Sequence, residues 1–276
     1  MVNFEIKIKE SKRLRKFVEP LYFWFTAFGF NPLKFFRSIR ALPQVIKEYF
    51  IIKKQNKFSS NSFKIKFKAP CLSDRFDYSG IANGHYFHQD LYVAQRIFAK
   101  NPTKHVDIGS RIDGFVAHVA SFRKIETFDI RPLKGSITNI IFTQLDLMSP
   151  NEKFYNYCDS LSCLHTIEHF GLGRYSDSID IDGYKKGFQN LFTILKNNGT
   201  LYLSVPIGPE RIDFNAHRCF SISTVLKLAE DKLRLTNFSY IDDYGDLHKD
   251  ITLNDSLIND NCDCYYGCGI FEFLKI

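Results

Sequence analysis

The sequence predicts an α/β domain, a mostly parallel sheet with helices on both faces, preceded by a mostly helical N-terminal extension. Three observations predict it. From about residue 85 short apolar runs alternate with helix-period stretches, the pattern of strands joined by crossover helices. The first run, Val106-Asp107-Ile108-Gly109, ends in a glycine turn. An acid, Asp129, closes the next run 22 residues after Asp107. A glycine loop at a helix start, with an acid about 20 residues on, is how such folds hold a phosphate or carboxylate and a ribose.

The extension reads as helical over residues 1–57. Asn31-Pro32 is a helix start with proline in the first turn, and Pro43 begins a further helical stretch through Tyr49. Ser59-Ser60-Asn61-Ser62 reads as a polar linker, and Phe63, Ile65 and Phe67 alternate with lysines as a half-buried strand. The extension is therefore placed at 1–62 and the α/β domain at 63–276. Within the domain, 88–99 is a helix, 105–109 the first strand and 115–122 a helix. Strands follow at 124–130, 140–146 and 160–165. A helix over 184–196 is closed by Asn197-Asn198-Gly199, and the fifth strand occupies 200–206. Ser221 caps a helix to Leu233, and 235–242 and 269–274 are the final strands.

Composition bounds the function classes. The chain has 276 residues, 45% apolar and 24% charged, enough for one large core and a small appendage, and too apolar for a disordered chain. Residues 1–68 carry 16 Lys/Arg against four Asp/Glu, while the remainder is mildly acidic. A basic arm of this kind is drawn to anionic surfaces, a membrane or an acidic glycan; a solvated basic face explains it equally well. Nucleic acid is not expected as a partner. The longest apolar stretch, Phe17 to Phe30, is broken by Glu19, Pro20 and Gly29 and is shorter than the ~20 residues of a spanning helix. Seven cysteines, an odd number, and the lack of a signal peptide point to a reducing cytoplasm. Cys262, Cys264 and Cys268 match no common zinc spacing, and the order His165–Glu168–His169 is not the HExxH arrangement. No metal centre is expected.

The candidate cofactor residues are Asp107, Gly109, Ser110, Arg111 and Gly114 in the glycine loop, Asp129 and Ile130 after the second strand, and Asp146 and Leu147 after the third. Asp129 is placed for ribose hydroxyls, and Asp146 for an adenine amino group. In an open α/β sheet the ligand lies beyond the carboxyl ends of the strands. The residues after strands four and five therefore face a substrate: His165, His169 and His217 as candidate bases, and Arg174, Tyr175, Asn215 and Arg218 as candidate substrate contacts. The Glu168-His169 pair also reads as a pocket-shaping element. His85, His88 and Asp90 read as a lid over the cofactor or as caps of the helix they open.

Asp107-x-Gly109, Asp129, Asp146, Leu164–His169 and Gly199–Pro206 together resemble the successive motifs of class I S-adenosylmethionine (SAM)-dependent methyltransferases. The longer stretches HYFHQD (85–90), HVDIGSRIDGFVAHVASF (105–122), SLSCLHTIEHFGLGRY (160–175) and FNAHR (214–218) resemble a bacterial family catalogued only as a domain of unknown function. That family is methyltransferase-like and tends to accompany surface-polysaccharide genes. The resemblance implies a Rossmann-like class I methyltransferase sheet with an antiparallel final strand, SAM as cofactor, and O-methylation of a sugar or surface-glycan intermediate. It implies a cytoplasmic protein, peripheral to the inner membrane face through its basic arm. The alternative is a non-catalytic nucleotide- or glycan-binding protein on the same fold. One position departs from the methyltransferase pattern: Arg111 stands where glycine is usual. Pairing with the cofactor carboxylate is the favoured reading; obstruction of the cofactor is the other.

Overall fold

A computed structural model describes residues 12–60 and 63–276. The chain divides into two compact units at Ile81/Ala82, further along than the 62/63 boundary read from the sequence. The helical reading of residues 1–11 and linker positions 61–62 lie outside the described residues.

The first unit contains α1 (Lys12–Ala27) and α2 (Pro32–Asn56). Asn31 caps α2, its side-chain oxygen accepting from the Lys34 N–H at 2.9 Å, which satisfies a donor the helix leaves unpaired. Pro43 does not open a new helix; α2 runs through it. The alternating segment from Phe63 is not a strand. Alternation marks a half-buried extended chain but supplies no neighbour to pair with, and the Asn56 side chain takes that place. It donates to Phe63 O at 2.9 Å and accepts from its N–H at 3.0 Å. The Arg75–Glu48 ion pair at 2.7 Å and an edge contact between Tyr49 and Phe67 hold the same segment against α2.

The second unit alternates strand and helix as the hydrophobic pattern requires. After α3 (His85–Lys100) come β1 (His105–Ile108), a wide turn over Ile112–Val116 leading into the short α4 (Ala117–Ala120), β2 (Ile125–Asp129), β3 (Ile140–Gln144) and β4 (Cys158–Leu164). They are followed by α5 (Gly183–Ile194), β5 (Leu195–Ile207), a hairpin of β6 (Arg211–Asp213) and β7 (His217–Cys219), and α6 (Ile222–Ala229). The chain ends through β8 (Leu233–Ile241), β9 (Leu247–His248), α7 (Asp255–Asn259) and β10 (Gly267–Lys275). The main sheet has the order β3-β2-β1-β4-β5-β10-β8-β9. Strands β1 to β5 are parallel, and β10 runs antiparallel between β5 and β8.

Both faces of this sheet are covered. On β5, Leu201, Leu203 and Val205 enter one core with Phe188 and Leu191 of α5 and Val225 of α6, while Tyr202 enters the other with Val93 and Ile97 of α3. Two local readings change. Asn197-Asn198-Gly199 does not close α5, which ends at Ile194; it lies inside β5. Cys158 pairs with Leu195 and Ser160 with Thr200, so the Asn-Asn-Gly turn is expelled as a bulge with Asn198 in the left-handed region. The helix expected over 115–122 is only one turn after the wide turn, because the backbone at Gly114 is non-helical.

Candidate functional site

Beyond the carboxyl ends of β1 to β4 lies a cleft. It sits where the sheet order reverses direction, with β2 on one side of β1 and β4 on the other, the position at which open α/β sheets bind ligands. One lobe is a narrow slot of about 50 Å³, lined by Gly109, Asp129, Ile130, Asp146, Leu147, His165, His169 and Tyr175. The adjoining lobe, about 410 Å³, is lined by Ser110, Arg111, Gly114 and Arg174 with Tyr86, Gln89 and Asp90, and shares Gly109, Arg131, His165, His169 and Tyr175 with it. Residues chosen from separate stretches of sequence thus meet in one cleft of small-molecule size.

On the glycine-loop side each acid is already engaged. Asp107 does not line the cleft. It is fully buried and accepts from Ser110 N at 3.0 Å, Ser110 Oγ at 2.8 Å and Ser162 Oγ at 2.6 Å, so it fixes the loop's shape. Burial outweighs these hydrogen bonds and pushes its carboxyl from 3.8 up to about 7. Gly109 has φ +71°, and a Cβ there would lie 2.4 Å from Thr166 Cγ2, so any side chain would be strained and would displace Thr166. Asp129 is clasped by Arg131, which donates Nε to Oδ1 at 2.9 Å and Nη2 to Oδ2 at 2.5 Å. The same guanidinium lies 4.5 Å from the centre of the Tyr175 ring. Arg131 was not among the residues read from the sequence, although its place two residues after Asp129 makes the pairing local. Asp146 Oδ1 accepts from the Met148 N–H at 2.8 Å, and Asn190 holds the Leu147 carbonyl at 2.7 Å. Arg111, largely exposed on the wall of the adjoining lobe, pairs with Asp113 at 2.6 Å.

The residues after β4 and β5 divide. His165 follows β4 with φ +47°, held there by its N–H to Ser204 O at 3.0 Å. Its Nδ1 lies 2.8 Å from Glu168 Oε1. Burial opposes charge on both, yet their mutual attraction and the neighbouring Cys268 prevail: His165 is raised well above its usual range and Glu168 lowered. His169 Nδ1 contacts Ala216 O at 2.6 Å, which fixes its tautomer, and its pKa is lowered, chiefly by burial. Arg174 reaches the same carbonyl at 2.9 Å, at the cleft's rim. The structure does not bring the other three to the cleft. Arg218 is buried and donates to the carbonyls of Phe170 at 2.5 Å and Ile181 at 3.1 Å, so it braces the loop after β4. Asn215 is exposed at the β6–β7 turn. His217 packs on the Tyr266 ring at 4.9 Å, 3.3 Å from Asp213. Asp177, unread in the sequence, accepts from the N–H groups of Gly171, Gly173 and Tyr175 and shapes the loop that carries Tyr175.

Strand order, antiparallel β10 and this cleft define an α/β protein of the Rossmann-like class. The chain belongs to the family described as Caenorhabditis protein of unknown function, DUF268, whose model matches residues 116–263. That match includes the loops after β4 and β5 and excludes the glycine loop and α3. No curated protein matches the sequence. Among solved structures the chain is similar to the N-methyltransferase NodS of Bradyrhizobium japonicum WM9 in complex with S-adenosylhomocysteine, at 10% identity, TM-score 0.45, covering 70% of this chain and 88% of that one. It is similar to the 1,6-didemethyltoxoflavin-N1-methyltransferase of Burkholderia thailandensis at 11% identity, TM-score 0.49, covering 68% and 78%. The [4+2]-cyclase SpnF aligns at 13% identity, TM-score 0.49, covering 74% and 82%.

Proposed function

We propose that this protein is a SAM-dependent methyltransferase acting on an oxygen of a sugar or glycan intermediate. The observation that carries the reading is that Gly109, Asp129, Ile130, Asp146 and Leu147, from three strand ends, line one cleft at the point where the sheet order reverses. The group fits these residues. Two carboxylates stand beside apolar Ile130, Leu145 and Leu147, a polar edge and a flat wall suited to an adenosine. In this reading Asp129 accepts from ribose hydroxyls, Asp146 faces the adenine edge, and the backbone of Gly109 lets the cofactor approach closely. SAM would supply the electrophilic methyl group. The protein orients the acceptor, excludes water and removes a proton. Of the three candidate bases, His169 is best suited: its Nδ1 is taken by Ala216 O, and burial keeps the ring neutral, leaving Nε2 to accept a hydroxyl proton. His165, already protonated beside Glu168, has no such capacity.

One observation favours the second reading, a non-catalytic binding protein. Arg131 occupies both oxygens of the carboxylate assigned to ribose. The test is calorimetric titration with SAM, S-adenosylhomocysteine and NAD, followed by methyl-labelled SAM with a panel of nucleotide sugars. Binding of the first two but not NAD, with label transferred to a sugar and lost in His169→Gln, is the expected result. Absence of heat with SAM and its product removes the enzyme reading. The basic first unit supports a peripheral contact with an anionic membrane face: Phe23, Trp24 and Phe28 of its first helical region are exposed, and Lys34, Arg37, Arg40, Lys53 and Lys54 lie on α2.

A further inference from the structure

Among the described residues, five buried side-chain nitrogen or oxygen atoms lack a hydrogen-bond partner, and two of them, His165 Nε2 and Glu168 Oε2, belong to one bonded pair at the cleft. A folded protein rarely leaves such atoms unpaired, so a concentration of them marks a place where something else binds. One ring nitrogen of His85, one of His165 and Cys268 Sγ lie within 4.8 Å of one another. The His85 and His165 rings are stacked, 5.2 Å between centres and 9° from parallel.

We propose that His85, His165 and Cys268 bind a divalent transition-metal ion of the zinc class. Nitrogen, nitrogen and sulfur are the donors that zinc and cobalt take in preference to magnesium or calcium. In a tetrahedral site with bonds of about 2.0–2.3 Å the ligand atoms stand about 3.3–3.7 Å apart, so the cluster needs only small side-chain rotations to close. The surroundings already do what an outer shell does. His165 gives Nδ1 to Glu168 Oε1 at 2.8 Å, which leaves Nε2 free, and His85 hydrogen-bonds the backbone of Tyr266. Each ring therefore has one nitrogen fixed by a protein group and one available. The Cys268 thiol interacts with His165 itself and otherwise makes only long contacts, 3.8 Å to Gln89 Oε1 and 3.9 Å to Gly269 O, so its sulfur already faces a ligand of the same cluster.

Charge also balances. Binding releases the proton His165 carries on Nε2 and the Cys268 thiol proton; two neutral imidazoles and one thiolate then leave a dication with one net positive charge, and the buried Glu168 carboxylate beside His165 offsets it. Three protein ligands leave a fourth position, and His165 lines the cleft, so that position is on the ligand side. The inference is independent of the methyltransferase reading: it uses none of the glycine-loop, Asp129 or Asp146 contacts, and leaves His169 as the base. It replaces the expectation of no metal drawn from sequence spacing. The three ligands come from the start of α3, the end of β4 and the start of β10, which no local spacing rule connects.

The test uses the full chain stripped with chelator and titrated with Co²⁺, then Zn²⁺. One equivalent of Co²⁺ is expected to give a thiolate-to-metal charge-transfer band in the near ultraviolet with tetrahedral visible bands, both bleached by Zn²⁺. Cys268→Ser should abolish the charge-transfer band, and His85→Gln should weaken Co²⁺ binding at least tenfold; Cys264→Ser should leave both unchanged. If Cys268→Ser fails to fold, the half-buried His85→Gln decides alone. Absence of the band at one equivalent, or its survival at full strength in the folded variants, overturns the site.

Discussion

The two sides of the cleft are built on opposite principles. On the glycine-loop side every acid has partners within the protein: Asp107 holds Ser110 and Ser162, Asp129 holds Arg131, and Asp146 holds the Met148 amide. On the side formed by α3, the loop after β4 and β10, buried polar atoms stand without partners around His165 and Glu168. A site whose polar groups satisfy one another is a shaped surface, stable without a ligand. A site with unpaired buried polar groups carries a desolvation cost that only a bound group removes. The first side is therefore preorganised by the chain, and the second is completed from outside.

The largest expected effect breaks the second side. Glu168 is the sole carboxylate bonded to His165 among the described residues, and both are buried. Glu168→Ala in chelator-treated protein should cost about 3–5 kcal/mol, the loss typical when one partner of a buried ion pair is removed. Chemical denaturation reads it. A loss below about 1 kcal/mol would mean that the pair is not formed.

An intermediate effect sharpens the first side through pH. Burial raises Asp107 from 3.8 to about 7 in the folded chain. The folded state then binds more protons than the unfolded state between those values, so this group favours folding at the acid end, and its contribution is lost as pH rises towards 7. The full span corresponds to about 4 kcal/mol at most. Asp107→Asn should flatten the stability profile between about pH 4 and 7 relative to the parent chain. Parallel profiles for the two proteins would show that Asp107 is ionised throughout. The smallest effect concerns the clasp on Asp129. Arg131 is about two-fifths exposed, and such pairs are worth about 0–1 kcal/mol. Arg131→Ala should free the carboxylate and tighten SAM binding a few-fold by calorimetry, whereas weaker binding would place Arg131 among the cofactor's own contacts.

Much of the fold was legible because it rests on local periodicity. The apolar runs at 105–109, 124–130 and 140–146 each coincide with a strand to within two residues, since buried parallel strands need continuous apolar stretches. Ser221 was legible as a cap because capping is a contact over three residues, and its Oγ does accept from Thr224 N at 3.1 Å. Local chemistry also misled: Pro43 passes inside α2, and Asn197-Asn198-Gly199 bulges from a strand, because tertiary packing overrode the turn signal at both places.

The sequence by itself determined the order of strands and helices, the glycine loop, and which acids end which strands, all properties of neighbouring residues. Only the tertiary structure decided what those residues face. It turned Arg218 inward to brace backbone carbonyls, left Asn215 in solvent, and bound Arg111 to its own neighbour Asp113. It also set His85, His165 and Cys268 within one coordination sphere's reach. The physical reason is that a strand's register and a helix's docking angle are set by burial across the whole sheet, so side chains far apart in the chain meet at distances that no local pattern encodes.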